Sequence, residues 1–342
     1  MSTNPSLSPV DSTQEAPRRV VALGGGTGLP AVLRGLRCRV SHSDVNALTA
    51  VVTMSDDGGS SGRLRRAMGL PPPGDVRNCL VALSEEEDLL AGLFQHRYAS
   101  STELSGHSVG NLILAALAEQ TGSFLKAVEV SSRVLRTRGR ILPATQDDVR
   151  LQAVLEDGSR LIGETAIEAC TQRIRKISLR PRCVPPTVGV IDAILEADLV
   201  VLGPGSLYTS LVPNIVVDGV ADALQRTAGV VVLVANLVGE RGAAARLDLA
   251  DHLAVIEEHA GSPVVDAVLA NDARVGKEIT ARYRAEGVSP LYWRERNRDV
   301  FVIRKCLLAA GPKLRHDPVA TAEGLIAAWA GLRAKNSRIE LA

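Results

Sequence analysis

Short apolar runs, each stopped by glycine or by a polar stretch, set the rhythm of this chain. Residues 20–23 (VVAL) end at Gly24, Gly25 and Gly26, which predicts a buried strand followed by a glycine turn. Residues 29–36 (LPAVLRGL) then carry helical spacing, with Pro30 in a first turn where its missing N–H costs nothing. Further continuous, β-branched runs predict strands over 46–54, 198–202, 230–234 and 264–269. Ala- and Leu-rich helical segments lie between them, at 111–120, 188–197 and 248–259. Fully apolar strands alternating with helices specify an α/β fold: a doubly wound, mostly parallel sheet covered on both faces.

One stretch breaks the rhythm. Over 139–181 the pattern alternates, as in 149–155 (VRLQAVL) and 174–179 (IRKISL), and Asp157-Gly158 is a hairpin signal. This predicts a small antiparallel β subdomain inserted at 139–181 into an α/β domain formed by 18–138 and 182–333. Residues 1–17 are polar, with no apolar segment of signal-peptide type, and read as a loose tail. A closing helix is expected over 318–332, followed by a polar end at 334–342.

Composition narrows the function classes. The 342 residues hold 39 Lys+Arg against 38 Asp+Glu, for a net charge of +1, which argues against a nucleic-acid binder driven by counterion release. Aromatics at 3% argue against a base-stacking platform. Five scattered cysteines (Cys38, Cys79, Cys170, Cys183, Cys306) form no CxxC pair, so neither a zinc site nor a redox pair is signalled, and a reducing cytoplasm is expected. The longest uncharged stretch, 199–217, is broken by Gly203, Pro204, Gly205, Pro213 and Asn214, so no membrane span is expected.

The candidate chemistry lies in loops that follow apolar runs. Gly24 to Gly28, with Gly25, Gly26 and Thr27 between, offers close backbone approach and a helix N-terminus to a phosphate. It fits neither GxGxxG nor GK[ST], and a ligand-free strand-to-helix turn is the other reading. After the second strand, SDDGGSSGRLR brings Asp56, Asp57, Arg63 and Arg65 to the edge where open α/β sheets bind ligands. The adjacent carboxylates cannot face the same atom, so one could hold Mg²⁺ or a sugar hydroxyl while the arginines pair with phosphates. A solvated linker is the competing reading.

Three more segments follow. In GDVRNC, Asp75 is a candidate helix cap, while Arg77 and Asn78 fall in a first turn. In GHSVGN, His107, Ser108 and Asn111 crowd a helix start; G-x-S-x-G is absent, which removes a serine-hydrolase reading, and Ser108 as a simple cap is the alternative. In GPGSLYTS, Gly203, Gly205 and Ser206 form a rigid turn ready for an anion. From local pattern alone Tyr283 is a surface helix residue and Arg315 has no assigned role.

Taken in order, the motifs GGGTGLPAVLRGL, SDDGGSSGRLRRAMGLPPPGDVRNCLVAL, LFQHRY, LSGHSVGNLILAAL, RGRILPAT and DLVVLGPGSLYTSLVPNIVV resemble the YvcK-type gluconeogenesis factors, relatives of the CofD 2-phospho-L-lactate transferases. The resemblance spans about residues 18–332. It implies a Rossmann-like α/β core and cytoplasmic binding of a UDP-sugar, typically UDP-N-acetylglucosamine. It also implies a role in cell shape and wall homeostasis during gluconeogenic growth, with room for self-association and for regulatory or cell-wall protein partners.

By the same resemblance, Gly25, Gly26, Thr27 and Gly28 meet the nucleotide phosphates, and Gly203, Gly205 and Ser206 form a second phosphate turn. Asp56 and Asp57 match the family's acidic pair. Asn78, His107, Ser108 and Asn111 match its polar pocket loops, and Tyr283 and Arg315 its uridine-sugar contacts. No resident cofactor is implied in this branch. The transferase branch implies Mg²⁺, with Asp57 as its ligand, and a deazaflavin acceptor. A nicotinamide dehydrogenase is a further alternative, with Asp44 as the acidic residue, but it leaves SDDGGSSG without a role. One loop departs from the family pattern: where N-x-M-T-Q-P-G-E-T is usual, this chain reads Asn236-Leu237-Val238-Gly239-Glu240-Arg241-Gly242-Ala243-Ala244.

Overall fold

The computed structural model describes residues 16–39, 47–85, 89–99, 104–294 and 300–340, with backbone alone over 334–340. Most of the expected tail, and Asp44 and Asn46, fall outside the described residues. The described residues form ten strands: β1 (Val20–Gly24), β2 (Leu48–Val52), β3 (Arg140–Pro143), β4 (Arg150–Leu155), β5 (Arg160–Ile162), β6 (Ile174–Arg180), β7 (Leu199–Leu202), β8 (Val230–Val234), β9 (Ala267–Asn271) and β10 (Phe301–Lys305). Seven form one sheet in the order β10-β9-β8-β7-β1-β2-β3, with every pairing parallel. Every residue of β1, β2, β7, β8 and β9 is buried, as apolar runs without alternation require when helices cover both faces.

The strand order fixes where a ligand can sit. From β1 the chain builds outward through β2 to β3, then returns to β7 and builds the other way to β10. The β1/β7 boundary is therefore the topological switch point, where loops leaving the carboxyl ends of neighbouring strands diverge and open a crevice. The loops after β1, β2, β7 and β8 all emerge on that edge. Helix Gly28–Leu36 leaves it and lies against helices Gly74–Leu83 and Pro318–Glu340.

The inserted sheet has three strands in the order β5-β4-β6, all antiparallel, with helix Glu164–Ala169 between β5 and β6. Its boundary differs from the expected 139–181. Arg140–Pro143 pairs in parallel with Thr49 to Val52 and is the edge strand β3 of the main sheet, so the antiparallel excursion begins after it. A four-residue run ending in proline carries no alternation to separate the two. The last helix runs from Pro318 to Glu340, beyond the expected 318–332 and into the segment expected as a polar end.

Candidate functional site

The glycine turn after β1 is shaped by contacts that no side chain could share. A Cβ at Gly25 would lie 2.4 Å from Thr53 Cγ2 and 2.7 Å from Asp75 Oδ2. A Cβ at Gly28 would lie 2.3 Å from the Pro204 carbonyl oxygen, so the β1 and β7 turns touch through backbone. Gly26, at φ +63°, donates its N–H to Asp75 Oδ2 at 2.7 Å. Thr27 is exposed at the helix N-cap without a side-chain capping bond.

The amide offered here to an anion is thus already taken by a carboxylate of the chain itself. Asp75 is not the helix cap that its position suggested; Pro73 is, and Asp75 turns back from the first helical turn to the glycine loop. Burial pushes the Asp75 carboxyl up to about 6, aided by the charge of Asp56 and opposed by the Gly26 hydrogen bond.

Asp56 and Asp57 point apart. Asp56 Oδ1 accepts the Gly58 N–H at 2.8 Å, a local turn. Asp57 reaches the insertion: Oδ2 accepts the Glu164 N–H at 3.0 Å, and Oδ1 accepts the Thr165 N–H at 3.0 Å and the Thr165 hydroxyl at 2.8 Å. It therefore caps helix Glu164–Ala169 from 107 residues away in sequence. Both its oxygens are spent on the helix N-terminus, and the described residues contain no group of three or more His, Cys, Asp or Glu set to hold a metal ion. The residues present do not fit Mg²⁺ at Asp57.

Arg65 is buried and pairs with Asp148 at 2.5 Å and with the Val149 carbonyl, so it braces the start of the insertion. Arg63 donates to the Ser105 carbonyl at 2.6 Å.

The third cluster ties helix Gly74–Leu83 to helix Val109–Thr121. Ser108 is the N-cap of the second helix, and its Oγ accepts the Asn111 N–H at 3.3 Å. Arg77, 5% exposed, donates to the same Oγ and, at 2.7 Å, to Asn78 Oδ1. Burial, with the charge of Arg97, lowers its guanidinium to about 10. Asn111 Nδ2 donates to Ser60 Oγ at 3.1 Å, which leaves the Ser60 proton for His107 Nδ1, 2.9 Å away. Burial and the charges of Arg63 and Arg97 lower the His107 pKa, so this ring is neutral at pH 7.

The turn after β7 mirrors the one after β1. Gly203 has φ +77° and Gly203–Pro204 is a cis peptide bond. Gly205 donates its N–H to Asn236 Oδ1 at 3.1 Å, and Asn236 Nδ2 returns a bond to the Gly205 carbonyl at 2.9 Å. Glu240 accepts the Ser206 hydroxyl at 2.7 Å, the Leu207 N–H at 2.9 Å and Asn236 Nδ2 at 3.2 Å. The divergent loop thus supplies a carboxylate that fills the second expected phosphate turn. Burial raises the pKa of Glu240 and of Glu168, and raises Glu164 to about 9, where Asp56, Asp75 and Glu168 add to the effect.

Tyr283 and Arg315 sit at the β9–β10 side. The Leu314 N–H donates to Tyr283 Oη at 3.0 Å, one residue before the exposed Arg315. Among the described residues, no hydrogen bond joins this pair to the glycine turns. Asp75, Glu164, Glu168 and Glu240 are the site residues that local pattern missed. The bonds that bring Asp75, Glu168 and Glu240 to these turns span 33 or more residues, so only tertiary structure reveals them.

Comparison with known proteins gives the family of the chain. A family model described as "2-phospho-L-lactate transferase CofD" matches residues 20–307. A gluconeogenesis factor of Bacillus subtilis is 43% identical over 273 residues, covering 80% of this chain and 84% of that protein. A putative gluconeogenesis factor of Aquifex aeolicus is 38% identical over 314 residues, covering 90% and 95%. The X-ray crystal structure of a Bacillus halodurans protein superposes with a TM-score of 0.85 at 39% identity, covering 90% of this chain and 99% of that one.

Proposed function

This chain belongs to the family of CofD-like gluconeogenesis factors, and from that membership we propose that it binds a nucleotide sugar, UDP-N-acetylglucosamine first among them. It acts as a ligand-responsive regulator of cell shape and wall homeostasis in the cytoplasm of cells growing on gluconeogenic carbon sources. The observation that carries the reading is the convergence of the loops after β1, β2, β7 and β8 on one sheet edge at the switch point. From β2 to β9 that edge spans four strand steps, about 19 Å at about 4.8 Å each, room for an extended nucleotide sugar.

In this reading Asp56 accepts from ligand hydroxyls and the diphosphate lies over Gly25 to Gly28. It takes the Gly26 amide from Asp75, whose carboxyl at about 6 exchanges a proton readily near neutral pH. Asn78, His107, Ser108 and Asn111 line the polar wall, and Tyr283 and Arg315 close on the uridine end.

Titration calorimetry with UDP-N-acetylglucosamine tests this. Saturable binding is expected, weakened by Tyr283→Ala and by Arg315→Ala without a change in thermal unfolding. No heat with the nucleotide sugar, or affinities unmoved by both substitutions, would overturn it. Transfer of a phospholactyl group is a second reading, favoured by the length of the CofD match. Nucleotide release from a phospholactyl donor in the presence of Mg²⁺ and a deazaflavin, at enzymatic rates, would establish it in place of the first.

A further inference from the structure

Beyond the glycine turns, three elements enclose a cleft of about 490 Å³: helix Glu164–Ala169 of the insertion, the turn after β7, and the divergent loop after β8. Its chemistry is unlike that of a phosphate site. Two carboxylates line it, Glu168 and Glu240, together with the hydroxyls of Ser206 and Thr209. Glu240 already occupies the hydrogen-bond donors of the turn, through Ser206 Oγ and Leu207 N–H. An incoming phosphate would meet that negative charge and find those donors spent.

Glu168 is the more open of the two carboxylates. Its Oε1 takes only a long bond from the Thr209 hydroxyl, at 3.4 Å. The cleft therefore presents acceptors to its contents, which selects hydrogen-bond-donating groups. Burial raises both carboxyl groups toward their neutral form, which weakens the pull of the cleft on a cation. Arg241, which also lines the cleft, is ion-paired with Glu286 at 2.8 Å. The wall adds Ala243, a small apolar surface suited to the C–H face of a ring. Gly242 makes the wall possible: at φ +67°, a Cβ there would lie 2.6 Å from the carbonyl oxygens of Glu168 and Cys170.

We propose that this cleft is a binding site for an uncharged, hydroxyl-rich ring, with Glu168 accepting its hydroxyls and Glu240 excluding anions. The proposal rests on the nucleotide-sugar reading, and places the glycosyl end of that ligand away from the diphosphate, against the insertion.

The test uses the full chain with three probes: free N-acetylglucosamine by saturation-transfer NMR, and UDP and UDP-N-acetylglucosamine by calorimetry. Glu168→Gln, at an exposed position, removes the charge and one of the two accepting oxygens with little risk to folding. Ala243→Leu fills the cleft at its partly exposed wall. Both are expected to abolish saturation transfer to the free sugar. Glu168→Gln should also lower UDP-N-acetylglucosamine affinity about tenfold, the loss of one hydrogen bond to a charged group, and Ala243→Leu should lower it by occlusion, while both leave UDP affinity unchanged.

Saturation transfer to the free sugar that survives both substitutions would overturn the proposal. So would its absence in the unsubstituted chain, or binding of spermidine in competition with the sugar. Failure of both nucleotides to bind the unsubstituted chain would instead remove the nucleotide-sugar reading, and the free-sugar experiment would still decide the cleft. If Ala243→Leu does not fold by circular dichroism, Glu168→Gln carries the test alone.

Discussion

Replacing Asp57 separates a scaffold role from a ligand role. Its carboxylate accepts two backbone N–H groups and one hydroxyl at the start of helix Glu164–Ala169. Loss of such a cap costs about 0.5–2 kcal/mol, and loss of the Thr165 hydroxyl bond about 0.5–1.5 kcal/mol at most, since Thr165 is exposed. Asp57→Ala is therefore expected to destabilise this helix by about 1–3 kcal/mol.

The effect is local, because the helix is short and joins the rest of the domain through few other bonds. Hydrogen exchange resolved to residues 163–169 is the appropriate assay. Their amides should exchange about 5- to 150-fold faster in Asp57→Ala if they open locally, while amides of β1, β7 and β8 stay unchanged. Asp57→Asn, which keeps one accepting oxygen, should fall between. Unchanged exchange at 163–169 combined with lost ligand binding would refute the capping assignment and return Asp57 to the ligand.

Three further outcomes follow from the same contacts. Gly28→Ala drives a Cβ to 2.3 Å from the Pro204 carbonyl, whereas at Gly26 the nearest atom is Ser210 Oγ at 3.5 Å. Urea unfolding should show Gly28→Ala losing several times more stability than Gly26→Ala, which costs only about 1–2 kcal/mol of left-handed backbone strain. Asp75 is raised to about 6 from 3.8, so the folded state holds its proton more tightly and this group's contribution to stability falls as pH rises from about 4 to about 6. Asp75→Asn should flatten that part of the profile of urea midpoint against pH; an unchanged slope would refute the buried-carboxyl assignment.

His259 donates through Nδ1 to the Val255 carbonyl and accepts the Ile177 N–H at Nε2, 2.9 Å away, joining the helix Leu249–Ala260 to β6. Burial depresses its pKa, so stability is lost as pH falls below about 6.5 through the folded value. The Ile177 amide should then exchange faster, relative to the main-sheet amides, as the ring protonates. Equal protection at pH 7 and pH 5 would contradict this.

Much of the frame was legible in the chain. VVAL, LVVL and VVVLV lie buried on both faces of a parallel sheet, and such strands advertise themselves as unbroken apolar runs. Edge strands do not. Phe301–Lys305 mixes exposed and half-buried positions, and its pattern FVIRK carries no such signal. Arg140–Pro143 is four residues long and leads straight into the alternating segment after it, with no signal of its own.

The site divides in the same way. Glycine turns are local, and sequence located them. What fills them is not local: Asp75 reaches Gly26 across 49 residues, and Glu240 reaches Leu207 across 33. Two turns that read as open phosphate cradles are instead closed by carboxylates of the same chain, a property no window of sequence contains. The loop that departs from the family pattern supplies one of them, which gives the departure a physical meaning.

A crystal structure of the chain with UDP-N-acetylglucosamine bound tests the central claim most directly. The expected result is a diphosphate over Gly25 to Gly28 with the Asp75 carboxylate displaced from the Gly26 amide, and the uridine end near Tyr283 and Arg315. A nucleotide sugar bound away from the carboxyl edge of the sheet, or seated there with the Gly26–Asp75 bond intact, would contradict it.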